Sequence, residues 1–150
     1  MNLYDQISED IKKAMLAKDK IRLEALRGIK KEFIEAKTAK GASGGDLDDA
    51  VALKILQKMV KQRKESAAIY QSKGRPELAE SELAEAAVIE VYLPKAMSEE
   101  ELKNALKEII AEIGASAPSD MGKVMGVATK RLAGRADGRM ISEQVKSLLQ

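Results

Sequence analysis

Few residues of this sequence have the types and spacing that catalysis requires. Gly122-Lys123 resembles the end of a phosphate-binding loop, but Val124 stands where such a loop needs Ser or Thr. Ser43 lies in a glycine-rich segment without the second serine and positioned lysine of a serine nucleophile, so we interpret the segment as a flexible linker. The consecutive acids at 99–101 point around a helix and do not converge on a metal ion. We therefore predict no catalytic residue and no metal site.

The residue inventory narrows the possible functions further. The sequence contains neither cysteine nor histidine. This excludes disulfides, thiolate nucleophiles and cysteine-based zinc sites, and it removes the commonest general base. No cofactor is expected. Charged residues make up 33% and hydrophobic residues 45% of the chain, which is typical of a folded protein. The inventory favours a folded binding protein over an enzyme.

The sequence also predicts the cellular location of the protein. Its longest uncharged runs are seven residues, at 66–72 and 113–119, against the roughly 20 that a membrane span needs. The first five residues, Met-Asn-Leu-Tyr-Asp, have neither the basic nor the apolar region of a secretory signal. We therefore expect a cytoplasmic protein that does not enter a membrane.

Charge is distributed unevenly along the chain. The formal net charge is only +2, but residues 76–118 carry −7, whereas residues 1–40, 41–75 and 119–150 each carry +3. An acidic block therefore separates basic regions. This pattern is compatible with an anionic partner on part of the surface.

Helical periodicity runs through most of the chain. Apolar residues recur every three or four positions, as at Leu3, Ile7 and Ile11, and no segment alternates as a strand does. Asp19 and Ser98 have the types and positions of helix N-caps. The sequence predicts an all-α protein, with a bundle of about four helices over residues 1–94 and a small three-helix domain over 95–150.

The third predicted helix presents two surfaces of interest. Lys58 and Lys61 share one face, which is either a solvated surface or a contact for an anionic partner. Arg63 falls instead within the apolar stripe, where a guanidinium must be paired or must reach solvent. Two alternatives remain open. Arg63 either pairs with Glu90 or Glu82 on the acidic fourth helix, or it faces a groove and binds an external anion.

Segment 120–138 has the least ordinary composition. Gly122, Gly126 and Thr129 form a strip of small residues beside the apolar face of the predicted sixth helix. Glycine within a helix costs up to about 1 kcal/mol relative to alanine. The strip therefore indicates close approach of another backbone, from a neighbouring helix or from a nucleic acid. The cations that would hold nucleic-acid phosphates are Lys123, Lys130, Arg131 and Arg135, with Lys58 and Lys61 as further candidates.

Five ordered motifs carry a family resemblance. They are Lys61-Gln-Arg-Lys-Glu-Ser66, Gly74-Arg75, Tyr92-Leu-Pro94, Asp120-Met-Gly-Lys-Val-Met-Gly126 and Gly134-Arg-Ala-Asp-Gly138. Together they resemble the signature of the YqeY family over essentially the whole chain. That family is similar to the C-terminal tail of GatB, a subunit of the glutamine-dependent aspartyl/glutamyl-tRNA amidotransferase.

The resemblance implies both a fold and a function. The fold would be all-helical and in two parts. The GatB tail helps to hold the tRNA body, so the resemblance implies a non-catalytic module that binds tRNA or other structured RNA, or an accessory of an amidotransferase. A protein-interaction adaptor is the alternative. The family label of carbon–nitrogen ligase with glutamine as amido-N-donor finds no matching catalytic residues here.

Overall fold

The computed structural model describes residues 2–39 and 46–150, and the regular structure in these ranges is helical. Within those ranges there are seven α-helices, one short 3-10 helix and no strand, so the all-α prediction is confirmed. The linker predicted at 41–45, with Ser43, lies outside the described residues. The helices are α1 (Leu3–Ala17), α2 (Lys20–Thr38), α3 (Asp49–Ser72), α4 (Pro76–Glu90), α5 (Glu99–Ile113), α6 (Met121–Arg131) and α7 (Gly138–Leu148), and the 3-10 helix is Pro118–Asp120.

Side-chain caps determine where several helices begin. The Asp19 carboxylate accepts a hydrogen bond from the backbone N–H of Arg22 at the start of α2. Ser98 opens α5 with a capping box, in which its hydroxyl accepts from the Glu101 N–H and the Glu101 carboxylate accepts from the Ser98 N–H. Such caps satisfy N–H groups that have no partner within the helix.

The chain divides into two compact units, Met1–Leu93 and Pro94–Gln150. In the first unit α3 packs chiefly against α4, and α2 packs against both α1 and α4. The turn between α3 and α4 contains Gly74 at φ +71°, a left-handed conformation that suits glycine. The core of this unit is formed by apolar residues that include Ile7, Phe33 and Leu56, each fully buried.

The second unit packs α5, α6 and α7 around a core of its own. Its fully buried side chains include Leu102, Val124 and Val145, one from each helix. A turn follows α6, in which Gly134 adopts φ +79°. The carbonyl of Arg135 in that turn accepts a hydrogen bond of 3.0 Å from the Met97 N–H.

Two aspartates that precede helices of the second unit differ in their role. Asp120 precedes α6, but its carboxylate accepts hydrogen bonds from the N–H groups of Ser116 and Ala117 and makes none to the helix. Asp137 precedes α7, and its carboxylate caps that helix by accepting from the Met140 N–H. None of the helices in 2–39 and 46–150 combines the length and apolar character that a membrane span needs.

Candidate nucleic-acid interface

Helix α6 has a buried apolar face and an exposed face that carries the candidate residues. Val124 and Ala128 are fully buried in the core of the second unit. With about 100° between successive residues, the side opposite them carries glycine and lysine. The residues on that side are Gly122, Lys123, Gly126 and Lys130, and all four are exposed. We call these four residues the α6 face.

No protein segment in the described part of the chain covers the two glycines of the α6 face. A Cβ atom added to Gly122 or to Gly126 would have no heavy atom within 4 Å outside the nearby helix backbone. The neighbouring helix considered as an explanation for the small residues is therefore not seen. Thr129 uses its hydroxyl within the helix, donating a 2.8 Å hydrogen bond to the Met125 carbonyl. The two glycines leave the helix backbone open beside Lys123 and Lys130.

The two arginines of the segment are already engaged with protein groups. Nη2 of Arg131 lies 2.6 Å from Oε2 of Glu112, in a salt bridge whose side chains are both about half exposed. This hydrogen bond lowers the pKa of Glu112 and raises the pKa of Arg131. Arg135 lies in the turn after α6, and its Nε donates to the Lys95 carbonyl at 3.3 Å. Binding a phosphate with Arg131 would require it to leave or share Glu112.

Asp120, directly before α6, has a lowered pKa. The backbone N–H groups of Ser116 and Ala117 donate to Asp120 and lower its pKa, and Lys123 adds to that effect. The negative charge of Asp120 therefore lies at the N-terminal end of the α6 face, where it attracts Lys123. A polyanion would approach this face from the side of Lys130 and Gly126 with less repulsion.

The remaining lysine candidates belong to the first unit. Lys58 and Lys61 are both exposed on α3. The candidate lysines are therefore divided between two units, with one pair on α3 and the other pair on the α6 face.

Arg63 lies at the packing of α2, α3 and α4, between the buried residues Met59 and Ala67 of its own helix. Its Nε is buried and has no hydrogen-bond partner within residues 2–39 and 46–150. Its Nη2 is 3.5 Å from the position that a Cβ would occupy on Gly28 of α2. The guanidinium thus packs over a part of α2 that has no side chain.

The expected pairing of Arg63 with Glu90 was wrong. Glu90 forms its salt bridge with Lys64, the next residue along α3, at 2.8 Å between Nζ and Oε1. Arg63 has no carboxylate within 4.0 Å among the described residues, which also excludes a direct pair with Glu82. Its charge instead acts on Glu85. Burial raises the pKa of Glu85, the positive charge of Arg63 opposes that rise, and nearby carboxylates add to it.

Sequence reasoning missed a polar group at the end of the first unit. The Tyr92 hydroxyl donates a 2.5 Å hydrogen bond to Oδ2 of Asp10 on α1, and Arg22 of α2 lies beside the same hydroxyl. Burial raises the pKa of Tyr92 to about 12, assisted by the hydrogen bond and charge of Asp10 and opposed by Arg22. The Tyr92-Leu-Pro94 motif was the signal present in the sequence, but helical periodicity could not indicate its partners.

Comparison with protein-family models shows to which family the chain belongs. A family model described as Yqey-like protein matches residues 4–149. The chain belongs to the YqeY family. The recognition made from the five motifs is thereby confirmed. Among the described residues of this YqeY-family chain, no group of three or more acidic side chains is placed to hold a metal ion.

Curated relatives of this YqeY-family chain are fungal proteins. The altered inheritance of mitochondria protein 41 of Kluyveromyces lactis is 32% identical over 148 residues, which cover 94% of this chain and 72% of the relative. The protein of that name from Lachancea thermotolerans is 33% identical over 75% of this chain and 60% of its own length. The one from Pyrenophora tritici-repentis is 28% identical over 96% and 79%. The matched region therefore spans between three fifths and four fifths of these relatives.

The names of these relatives overturn the expected location. Each is named as a mitochondrial protein, so the prediction of a cytoplasmic location was wrong. That prediction rested on the composition of the first residues. The cause of the error is physical, because Leu3, Tyr4 and Asp5 belong to α1 and their composition reflects helix packing rather than the compartment of the protein.

Proposed function

We propose that this YqeY-family protein is a non-catalytic helical module that binds tRNA or another structured RNA. The α6 face is the proposed contact surface. The observation that carries the proposal is the exposure of Gly122 and Gly126 beside Lys123 and Lys130. A Cβ added to either glycine meets no described atom within 4 Å outside its chain neighbours and the nearby helix backbone. An open helix backbone beside two cations offers a polyanion a close approach that larger side chains would prevent.

The charge of the surrounding segment supports the same role. Residues 119–150 carry a net charge of +3. Lys123 and Lys130 are seven residues apart and therefore about 10 Å apart along the helix axis. Two lysines at that spacing can contact separate phosphates of one backbone. Such contacts position an RNA without reading its sequence. Holding the tRNA body is also the role that the resemblance to the GatB tail implies. An amidotransferase accessory that holds tRNA is one form of this role.

The test is binding of the purified chain to total tRNA at about 50 and about 200 mM salt, with duplex DNA as a competitor. We expect preference for tRNA and weaker binding at the higher salt concentration. Lys123→Glu combined with Lys130→Glu should abolish binding. In the single variants, the slope of log affinity against log salt should become shallower by roughly 0.9 for each phosphate that the protein no longer binds.

A matched control distinguishes the α6 face from the charge of the unit as a whole. Lys103→Glu combined with Lys107→Glu makes the same charge change at exposed positions of α5. This control should retain most of the tRNA affinity. Equal reductions of affinity in the two double variants would refute the α6 face as the site. Absence of any binding to tRNA by the unmodified chain would refute the proposed function itself.

A further inference from the structure

The outer side of α4 carries an apolar stripe that no described segment covers. Leu83, Ala87 and Val91 are spaced by four residues, which places them along one side of the helix and its C-terminal turn. Leu83 is 46% exposed, Ala87 is exposed and Val91 is 78% exposed. We call these three residues the α4 stripe. Exposed apolar residues in a continuous row are typical of a contact surface, whereas single ones are common on any protein.

The stripe leads into a hollow at the C-terminal end of α4. The hollow has a volume of about 250 Å³ and is lined by Arg22, Ala87, Val88, Val91 and Tyr92. Ala87 and Val91 belong to both the stripe and the hollow, so the two features form one surface. Its lining is mainly apolar, with the Arg22 guanidinium beside the Tyr92 hydroxyl at one edge. The space suits a single large apolar side chain.

The charges on α4 itself are negative, whereas Arg22 of α2 lies at the edge of the hollow. Helix α4 carries five glutamates and no lysine or arginine. Glu77 and Glu80 are exposed. With about 100° between successive residues, Glu80 lies within about 20° of the middle of the stripe, and Glu77 lies about 80° from it, at the border of that side. Glu90 contributes less, because Lys64 pairs with it. The surface therefore combines an apolar row with two exposed carboxylates near its N-terminal half.

We propose that the α4 stripe and its hollow bind a basic amphipathic helix of a partner protein. The apolar side of that helix would lie along Leu83, Ala87 and Val91, with one large side chain in the hollow. Its lysines or arginines would face Glu77 and Glu80. Helix-in-groove binding of this kind uses apolar anchors at helical spacing for affinity and complementary charge for selection of the partner.

The same charges argue against the other occupants of this surface. A second copy that used the same face would bring its own Glu77 and Glu80 against this acidic surface, and like charges in contact are unfavourable. A nucleic acid would meet the same repulsion. The proposal is independent of RNA binding, because it concerns the first unit and the α6 face belongs to the second.

The experiment measures binding of a fluorescent helical peptide of about 18 residues, made of leucines on one face and lysines on the other. Fluorescence anisotropy with the full chain compares this peptide with a twin in which every lysine is glutamate. We expect the lysine peptide to bind and the glutamate twin to bind at least tenfold more weakly. Val91→Arg should weaken binding of the lysine peptide at least tenfold, as should Glu77→Lys combined with Glu80→Lys.

The matched control is Ile34→Arg on α2. Ile34 is 43% exposed and lines a second hollow, whose other lining residues are Arg27, Lys30, Lys31 and Glu35. A lysine-rich peptide should avoid these cations, so Ile34→Arg should leave its binding unchanged. Circular dichroism should show that the variants keep their helix content, and Val91→Arg should bind tRNA as the unmodified chain does.

Four results would overturn the proposal. Equal binding of the lysine and glutamate peptides would show that charge does not select the partner. No binding of either peptide would show that the surface is not a binding site for such a helix. Equal weakening by Ile34→Arg and Val91→Arg would show that binding is not located on α4. Sedimentation that shows a dimer of the unmodified chain and a monomer of Val91→Arg would assign the surface to a second copy.

Discussion

Nζ of Lys64 lies 2.8 Å from Oε1 of Glu90, and this salt bridge joins α3 to α4. Arg63, one residue earlier, is directed instead toward the backbone of α2 at Gly28. Neighbouring residues of a helix point about 100° apart, so the two cations of α3 serve different contacts. Lys64, which is exposed, pairs with the exposed carboxylate of Glu90. The half-buried Arg63 lies among the packed helices.

Separate and combined alanine substitutions of Lys64 and Glu90 should reveal a weak interaction. Both side chains are about half exposed, and exposed pairs typically contribute about 0.2 to 1 kcal/mol to the free energy of unfolding. We expect a coupling energy in that range from a double-mutant cycle in urea, and we expect it to fall when salt is added. A coupling above about 2 kcal/mol would contradict the assignment of a solvent-screened pair.

Gly28→Ala should stabilise the first unit. Alanine favours a helix interior by up to about 1 kcal/mol over glycine. The new Cβ would lie 3.5 Å from Nη2 of Arg63 and 3.8 Å from the terminal methyl of Met59, which are ordinary contact distances. Thermal unfolding should therefore shift upward by a few degrees. Gly28→Leu is the control, since its larger side chain must displace the guanidinium and should destabilise the unit. A decrease of stability in Gly28→Ala would show that Arg63 needs the full space.

Tyr92→Phe should destabilise the protein at neutral pH by about 1 to 2 kcal/mol, because Asp10 loses its hydrogen-bond donor. The pKa of Tyr92 is raised from 10.0 to about 12 in the folded state, so the protonated phenol favours folding. That contribution is complete below pH 10 and is lost as pH rises through about 12.

Urea unfolding of both proteins at several alkaline pH values is the measurement for Tyr92. The difference in free energy of unfolding between the unmodified chain and Tyr92→Phe should decrease over this alkaline range. A titration of tyrosine absorbance should lack its latest phase in the variant. A difference that stays constant up to pH 12 would mean that the hydroxyl has no linked ionisation.

Alanine substitution of both Gly122 and Gly126 should raise the stability of the protein and weaken its binding to RNA. Neither added Cβ meets a neighbour within 4 Å, so the helix should gain up to about 1 kcal/mol per position. The same methyl groups would cover the backbone beside Lys123 and Lys130 and weaken tRNA binding. The measurements are thermal unfolding and tRNA affinity of one variant. Unchanged tRNA affinity with raised stability would indicate that the glycines do not contact RNA.

The features that the sequence predicted well depend on residues close together in the chain. The caps at Asp19 and Ser98 involve N–H groups three residues further on, so their spacing alone indicates them. Gly114 ends α5 in the left-handed conformation that suits glycine at a helix C-terminus. The exposure of Lys123 and Lys130 also follows from the periodicity of α6.

The features that the sequence did not predict depend on contacts between helices. Periodicity placed Arg63 correctly among apolar residues, but the choice of partner for Glu90 depended on the relative rotation of α3 and α4. Asp120 has the residue type of a cap, yet the turn at Ser116 and Ala117 supplied closer donors. Residue type and spacing cannot rank such competing partners, because each hydrogen bond is decided by distances that only the packed chain establishes.

The two hydrophobic clusters have no residue in common, the first including Phe33 and the second including Leu102, Val124 and Val145. A change of side-chain volume in one cluster must therefore be compensated within that cluster, because close-packed cores tolerate neither voids nor overlaps. Among natural variants, the sizes of the residues at 102, 124 and 145 should covary with one another and vary independently of the residue at 33. The two halves of the chain can then accumulate substitutions at different rates.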